Sequence, residues 1–206
     1  MELGVRFQNS GSMAKLTHRF QEALIFATQL HAGQNRKGKD VPYIAHPLAV
    51  ASLVLEAGGG EDEAIAALLH DAIEDHGDKI SLDEIRQRFG DAVADIVDGC
   101  TDARTVPKPP WRRRKEAYIA RLRHAPPSER LVSAADKLHN ARSILIDYRV
   151  LGEGIWDRFN GGKEGTLWYY RALLETFQVS GPALLVEELE RVVSEIERLA
   201  AATGDG

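Results

Sequence analysis

The sequence predicts an all-α helical bundle, and three observations predict it. Apolar residues recur at spacings of three and four along almost the whole chain. Gly58-Gly59-Gly60 and the prolines at 107, 109 and 110 fall between these stretches, and no segment alternates polar and apolar as a half-buried strand would. Leu16, Phe20, Leu24 and Ala27 share the first helix face, and Thr17 can cap that helix by accepting from a first-turn N–H. A polar loop follows from Gly33 to Asp40. Pro47 suits a first helical turn, and its helix runs through Leu55 to a stop at Gly58-Gly59-Gly60. Glu61, Asp62 and Glu63 place negative charge against the dipole of the next helix, expected to run unbroken from 61 to 76 and to stop at Gly77. Further helices are expected over 81–88, 91–100, 112–124, 127–147, 164–178 and 182–201. Between 101 and 111, Pro107, Pro109 and Pro110 forbid a continuous helix and mark an exposed loop.

The 206 residues suffice for one well-buried domain. Residues 1–12 are polar and aperiodic and precede a second methionine, Met13; they read as an expression remnant or a disordered leader, which leaves 13–206 as the folded domain. Hydrophobic residues at 44% and charged residues at 28% are the balance of a soluble protein, and no apolar run is long enough for a membrane helix. We therefore expect a cytoplasmic protein with no membrane partner. One cysteine, Cys100, excludes an intramolecular disulfide and any multi-thiolate zinc site. A net charge of −5 argues against a nucleic-acid partner, which needs broad basic surface, but not against one small anionic nucleotide. Oligomeric state is left open.

Chemistry concentrates in His70-Asp71-Ala72-Ile73-Glu74-Asp75. On a helix, Ile65, Leu68, Leu69, Ala72 and Ile73 form one apolar stripe, and His70, Asp71, Glu74 and Asp75 occupy the opposite arc. Four ionisable groups in one patch suit a cation held by nitrogen and oxygen, although a solvated helix face has the same pattern. Two other segments shift the balance. His46, in Tyr43-Ile44-Ala45-His46-Pro47, stands at a helix start that can aim its imidazole inward. Asp136, in Ala134-Ala135-Asp136-Lys137-Leu138-His139-Asn140, lies beside a surface of small and apolar residues and aligns with Asn140 and Ser143. A carboxylate there needs a positive partner, either a metal or a neighbour such as Lys137 or Arg142.

A lone His, an adjacent His-Asp pair and a distant Asp resemble the ligand order of the HD superfamily of metal-dependent phosphohydrolases. The segments RKGKDVPYIAHP, LLHDAIED and ADKLHNAR are similar in kind and order to the hydrolase domain of RelA/SpoT proteins, above all its small stand-alone forms, over approximately residues 17–180. The resemblance implies a single HD-domain bundle in which His46, His70, Asp71 and Asp136 hold one divalent metal, usually Mn²⁺. It makes Glu74 and Asp75 the catalytic acids, one turn from the ligands, where either can orient or deprotonate a water. It also makes Arg36, Lys37, Asn140 and Ser143 substrate contacts. The implied reaction is hydrolysis of the 3′-pyrophosphate of guanosine alarmones, ppGpp or pppGpp, to GDP or GTP plus pyrophosphate. Gly38 departs from many relatives, in which a serine follows the basic pair, so ppApp or NADPH stays open as substrate, as does a nucleotide-binding sensor without turnover. Trp111-Arg112-Arg113-Arg114-Lys115 reads first as a solvated helical turn and second as a collector of polyanions. Asn160-Gly161-Gly162-Lys163 either approaches phosphate or simply starts a helix.

Overall fold

The computed structural model describes residues 15–102 and 107–202; the reading of residues 1–12 lies outside them. Ten helices carry the described chain, with no strand beyond a single bridge between Asn35 and Pro42. They are α1 (His18–Leu30), α2 (Ala45–Glu56), α3 (Glu61–Leu69), α4 (Ala72–His76) and α5 (Leu82–Phe89). After them come α6 (Asp91–Cys100), α7 (Trp111–Leu122), α8 (Pro127–Leu151), α9 (Gly162–Ser180) and α10 (Ala183–Ala202), with a 3-10 helix (Gly152–Arg158) between α8 and α9.

Local chemistry sets the ends of these elements. Thr17 caps α1 by accepting from the Arg19 N–H at 3.2 Å, and Ser81 caps α5 by accepting from the Glu84 N–H. Glu63 reaches back to the Gly60 N–H at 2.9 Å and closes the start of α3. The centre of the molecule is α3, whose Ile65, Leu68 and Leu69 are fully buried. It packs against α1, α2, α6 and α8, and α8 in turn carries α2 and α10. The ionisable residues therefore ride on elements held by the deepest apolar contacts in the fold.

Two elements differ from expectation. The helix expected over 61–76 is interrupted: α3 ends at Leu69, His70 and Asp71 form a turn, and α4 begins at Ala72. Asp71, at φ −95° and ψ −2°, has left regular helix. The interruption brings two adjacent side chains, which an intact helix would splay by about 100°, to one point: His70 Nε2 and Asp71 Oδ2 are 3.0 Å apart. The second difference is length. Helix α8 continues past 147 to Leu151, and the 3-10 helix after it is anchored by buried Ile155 and Trp156.

Candidate metal centre and its cleft

His46 opens α2, His70 and Asp71 form the turn between α3 and α4, and Asp136 lies midway along α8. Ligand atoms of His46, His70 and Asp136 lie within 4.8 Å of one another, and all three residues are buried. Asp136 Oδ1 is 3.2 Å from His46 Nε2 and 3.7 Å from His70 Nε2. Asp71 Oδ2 joins the group, 3.5 Å from His46 Nε2. Three elements distant in sequence thus converge two imidazoles and two carboxylates.

The donor set fits a divalent cation. His70 Nδ1 donates to the Ala67 carbonyl at 2.8 Å, which leaves the Nε2 lone pair facing the carboxylates, buried and without a hydrogen-bond partner. A lone pair among anionic oxygens calls for a positive charge between them. Without a cation a proton on Nε2 would meet the same need: burial by itself would discharge the His70 ring, yet Asp71 and Asp136 overcome it and hold its pKa well above the usual imidazole range. Burial would likewise raise the two carboxyls, but Asp71, facing His70 and His46, is held well below its usual value. Asp136 is held down in the same way, first by Lys137 and then by both imidazoles.

The supporting contacts were not assigned from sequence. His139 Nδ1 lies 2.7 Å from His46 Nδ1, and burial, with His46 and Arg36, pushes the His139 pKa down to about 4. A neutral His139 can accept the His46 Nδ1 proton, leaving the His46 Nε2 lone pair for a cation. The Tyr43 hydroxyl donates to Asp71 Oδ2 at 2.5 Å. Both Lys137 and Asn140 donate to Asp136, so Asn140 meets the proposed ligand directly. Lys137, one of the positive partners the sequence offered for Asp136, is half-buried and pairs with the buried Asp136 beside the histidines.

A cleft of about 440 Å³ opens beside this centre, lined by Arg36, Lys37, Glu74, Asn140 and Ser143 among others. Arg36 donates to Asn140 Oδ1 at 2.8 Å, which ties the 33–40 loop to α8; Lys37 is exposed. Glu74 Oε1 accepts from Lys108 Nζ at 2.8 Å. Asp75, exposed, does not line the cleft and accepts from Gln34 Nε2 at 2.9 Å.

The basic run at the start of α7 is not a uniformly solvated turn. Arg114 and Lys115 face the cleft and both donate to Asp102, whereas Arg112 stacks on Trp168 at 3.2 Å. Burial, then Lys137, lowers the Lys115 pKa, while Lys115 and Arg114 pull that of Asp102 below its usual value against the opposing effect of burial. On the far side, Asp147 binds Lys39 at 2.7 Å and approaches Arg158. Lys163 turns away to the Ala200 carbonyl and Glu153, so Gly161-Gly162-Lys163 is a helix start rather than a phosphate loop. Its glycines make room for an indole: a Cβ at Gly161 would lie 2.7 Å from the Trp111 ring.

Comparison with known proteins decides the family, because the family described as HD domain matches residues 23–159. This chain belongs to the HD domain family. The HD protein is 40% identical over 126 residues to the Xenopus tropicalis guanosine-3′,5′-bis(diphosphate) 3′-pyrophosphohydrolase MESH1, a match spanning 60% of this chain and 68% of that one. The Homo sapiens MESH1 is 39% identical over the same shares. Among solved structures, lmo0812 from Listeria monocytogenes EGD-e superposes with a TM-score of 0.65 at 32% identity, covering 73% of this chain and 97% of that one. A metazoan ortholog of SpoT reported to hydrolyse ppGpp shares the fold, with a TM-score of 0.73 at 24% identity over 88% of this chain and 97% of its own. The HD protein is accordingly a metal-dependent phosphohydrolase, a single all-α bundle with its metal-competent cluster beside a basic cleft. No helix among its described residues is long and apolar enough to cross a membrane.

Proposed function

We propose that this HD protein removes the 3′-pyrophosphate of guanosine alarmones, converting ppGpp or pppGpp with water to GDP or GTP and pyrophosphate, with Mn²⁺ as cofactor. The observation that carries the reading is the convergence of His46, His70, Asp71 and Asp136 on one point, one helical turn from Glu74 and Asp75 and beside a cleft rich in cations. Those four residues hold the cation, which when bound lowers the pKa of a water and offsets charge on phosphate oxygens. Asp75 is held by the neutral amide of Gln34, whereas Glu74 faces the Lys108 ammonium. Between them Glu74 and Asp75 orient the attacking water and take its proton. Water attacks the 3′-linked phosphorus, the bond to O3′ breaks, and pyrophosphate leaves with the new oxygen. Arg36 and Lys37 face the nucleobase and phosphates, and Asn140 and Ser143 the ribose side.

One observation keeps a second substrate class in view. Gly38 has φ +71°, and a Cβ there would sit 3.1 Å from Arg158 Nε. The place of a base-reading hydroxyl is occupied by a guanidinium, which leaves ppApp or NADPH as the competing substrate of the same site. Incubating the protein with Mn²⁺ and, in parallel, ppGpp, ppApp and NADPH separates these readings when products are resolved by anion exchange. GDP plus pyrophosphate is the expected result; turnover of ppApp or NADPH alone would replace the substrate and keep the site.

A further inference from the structure

His31, Gln34 and His76 lie outside the cleft lining and outside the ligand set, yet they form a hydrogen-bonded cluster against Asp75. His31 ends α1 and is buried, with its backbone N–H on the Ala27 carbonyl; the Gln34 N–H then returns to the His31 carbonyl at 3.1 Å. The Tyr43 N–H donates to the Gln34 carbonyl at 2.8 Å, fastening this turn to the segment that leads into His46. The backbone of Gln34 is thus fixed at both its polar groups.

The direction of every side-chain bond in the cluster follows from one acceptor. An ionised Asp75 can only accept, so Gln34 Nε2, at 2.9 Å, donates to it. Gln34 Oε1 is then the end facing both imidazoles, 2.7 Å from His31 Nδ1 and 2.9 Å from His76 Nε2. As an acceptor it requires a proton on each nitrogen. The 3.2 Å separation between those nitrogens follows from their sharing one oxygen. His31 Nε2 is buried with no partner, so the Nδ1 proton is the one by which this ring holds the cluster. Burial, followed by the facing His31, lowers the His76 pKa. Two histidine donors therefore hold the amide of Gln34 in the one orientation that points an N–H at Asp75.

His31 also has a second contact. Its ring stacks on Tyr43 with centroids 4.8 Å apart, and the Tyr43 hydroxyl holds Asp71. The edge of one buried ring thus serves Asp75, in α4, and its face serves Asp71, four residues earlier in the turn between α3 and α4.

We propose that His31, Gln34 and His76 are positioning residues for the hydrolytic reaction, a hydrogen-bonded relay from the end of α1 that sets the Asp75 carboxylate for the attacking water. This rests on the reading of Asp75 given under Proposed function. It differs from a packing role in what it requires, namely a donor at the His31 Nδ1 position and an amide at 34, and not merely bulk.

The test uses the full chain loaded with Mn²⁺ and whichever of ppGpp, ppApp and NADPH the wild type hydrolyses. Four variants are compared for kcat, KM, Mn²⁺ dissociation constant and thermal midpoint: Gln34→Met, His31→Phe, His31→Asn and Asp75→Asn. Gln34→Met keeps length and loses the donor; His31→Phe keeps the stack on Tyr43 and loses Nδ1; His31→Asn returns an N–H near the Nδ1 position. The expected result is a fall in kcat of about 10- to 100-fold in Gln34→Met and His31→Phe, with KM and Mn²⁺ affinity within about twofold, and recovery of kcat in His31→Asn. Wild-type kcat in both of the first two, with Asp75→Asn inactive, overturns the relay and leaves the role of Asp75 standing. Full turnover by Asp75→Asn overturns the role of Asp75 itself. A fall in kcat matched by a fall in thermal midpoint or in Mn²⁺ affinity makes the cluster structural and also overturns the proposal.

Discussion

Asp102 sits between Arg114 and Lys115 on the cleft wall, and those cations, Lys115 foremost, hold its pKa below the usual carboxylate range despite the opposing effect of burial. A depressed folded-state pKa contributes stability above the unfolded value and loses it as pH falls through the folded one. Asp102→Asn is therefore expected to cost about 1–3 kcal/mol at neutral pH, with the deficit shrinking as the pH is taken below the ordinary carboxylate range. Denaturant unfolding at both pH values checks this, and an equal deficit at each would contradict it. At the same scale, Glu74→Gln and Asp75→Asn are expected to lower kcat by about 100-fold or more while Mn²⁺ still binds, as calorimetry would report. The residues of the proposed centre were legible because each lies in a short motif whose chemistry is visible in one turn of chain. His139 was not, although it stands inside such a motif. Its contact with His46 depends on how α2 lies across α8, and that register is not written in either segment. Of the two readings of Trp111–Lys115, a solvated turn and a collector of polyanions, Arg114 and Lys115 follow the second in lining the cleft, and their pairing with Asp102 across the proline-rich loop was not visible locally.

Among the elements, the start of α9 and the start of α7 are coupled through one close approach. Gly161 and Gly165 accept the Trp111 ring, which also lines the cleft. Gly161→Ala is expected to destabilise the fold by about 1–3 kcal/mol through overpacking and to shift the indole emission, read by thermal unfolding and tryptophan fluorescence. Wild-type values in both would show that the ring is not held there. Helix starts and stops were largely legible because capping residues, prolines and glycines act locally, as Thr17, Ser81 and Gly60 illustrate. The break at His70-Asp71 was not, since the apolar stripe continues through it from Leu68 and Leu69 to Ala72 and gives no sign that the backbone turns. The 3-10 helix escaped for the opposite reason: seven residues carry too little periodicity to announce themselves.

For the whole molecule, the proposed ligands come from α2, the α3–α4 turn and α8, so a cation held by them staples three parts of the chain that pack around one core. Ligand binding to the folded state alone stabilises it by about 2.7 kcal/mol at a hundredfold excess over the dissociation constant. Mn²⁺ is expected to raise the thermal midpoint, chelation to reverse it, and Asp136→Asn to remove most of the shift. The most direct test of the account is hydrolysis of ppGpp by the Mn²⁺-loaded protein in water enriched in heavy oxygen, with products separated and weighed by mass spectrometry. The account predicts GDP without label and pyrophosphate carrying one heavy oxygen, from attack at the 3′-linked phosphorus. Label in GDP, release of orthophosphate in place of pyrophosphate, or no turnover of ppGpp would contradict it.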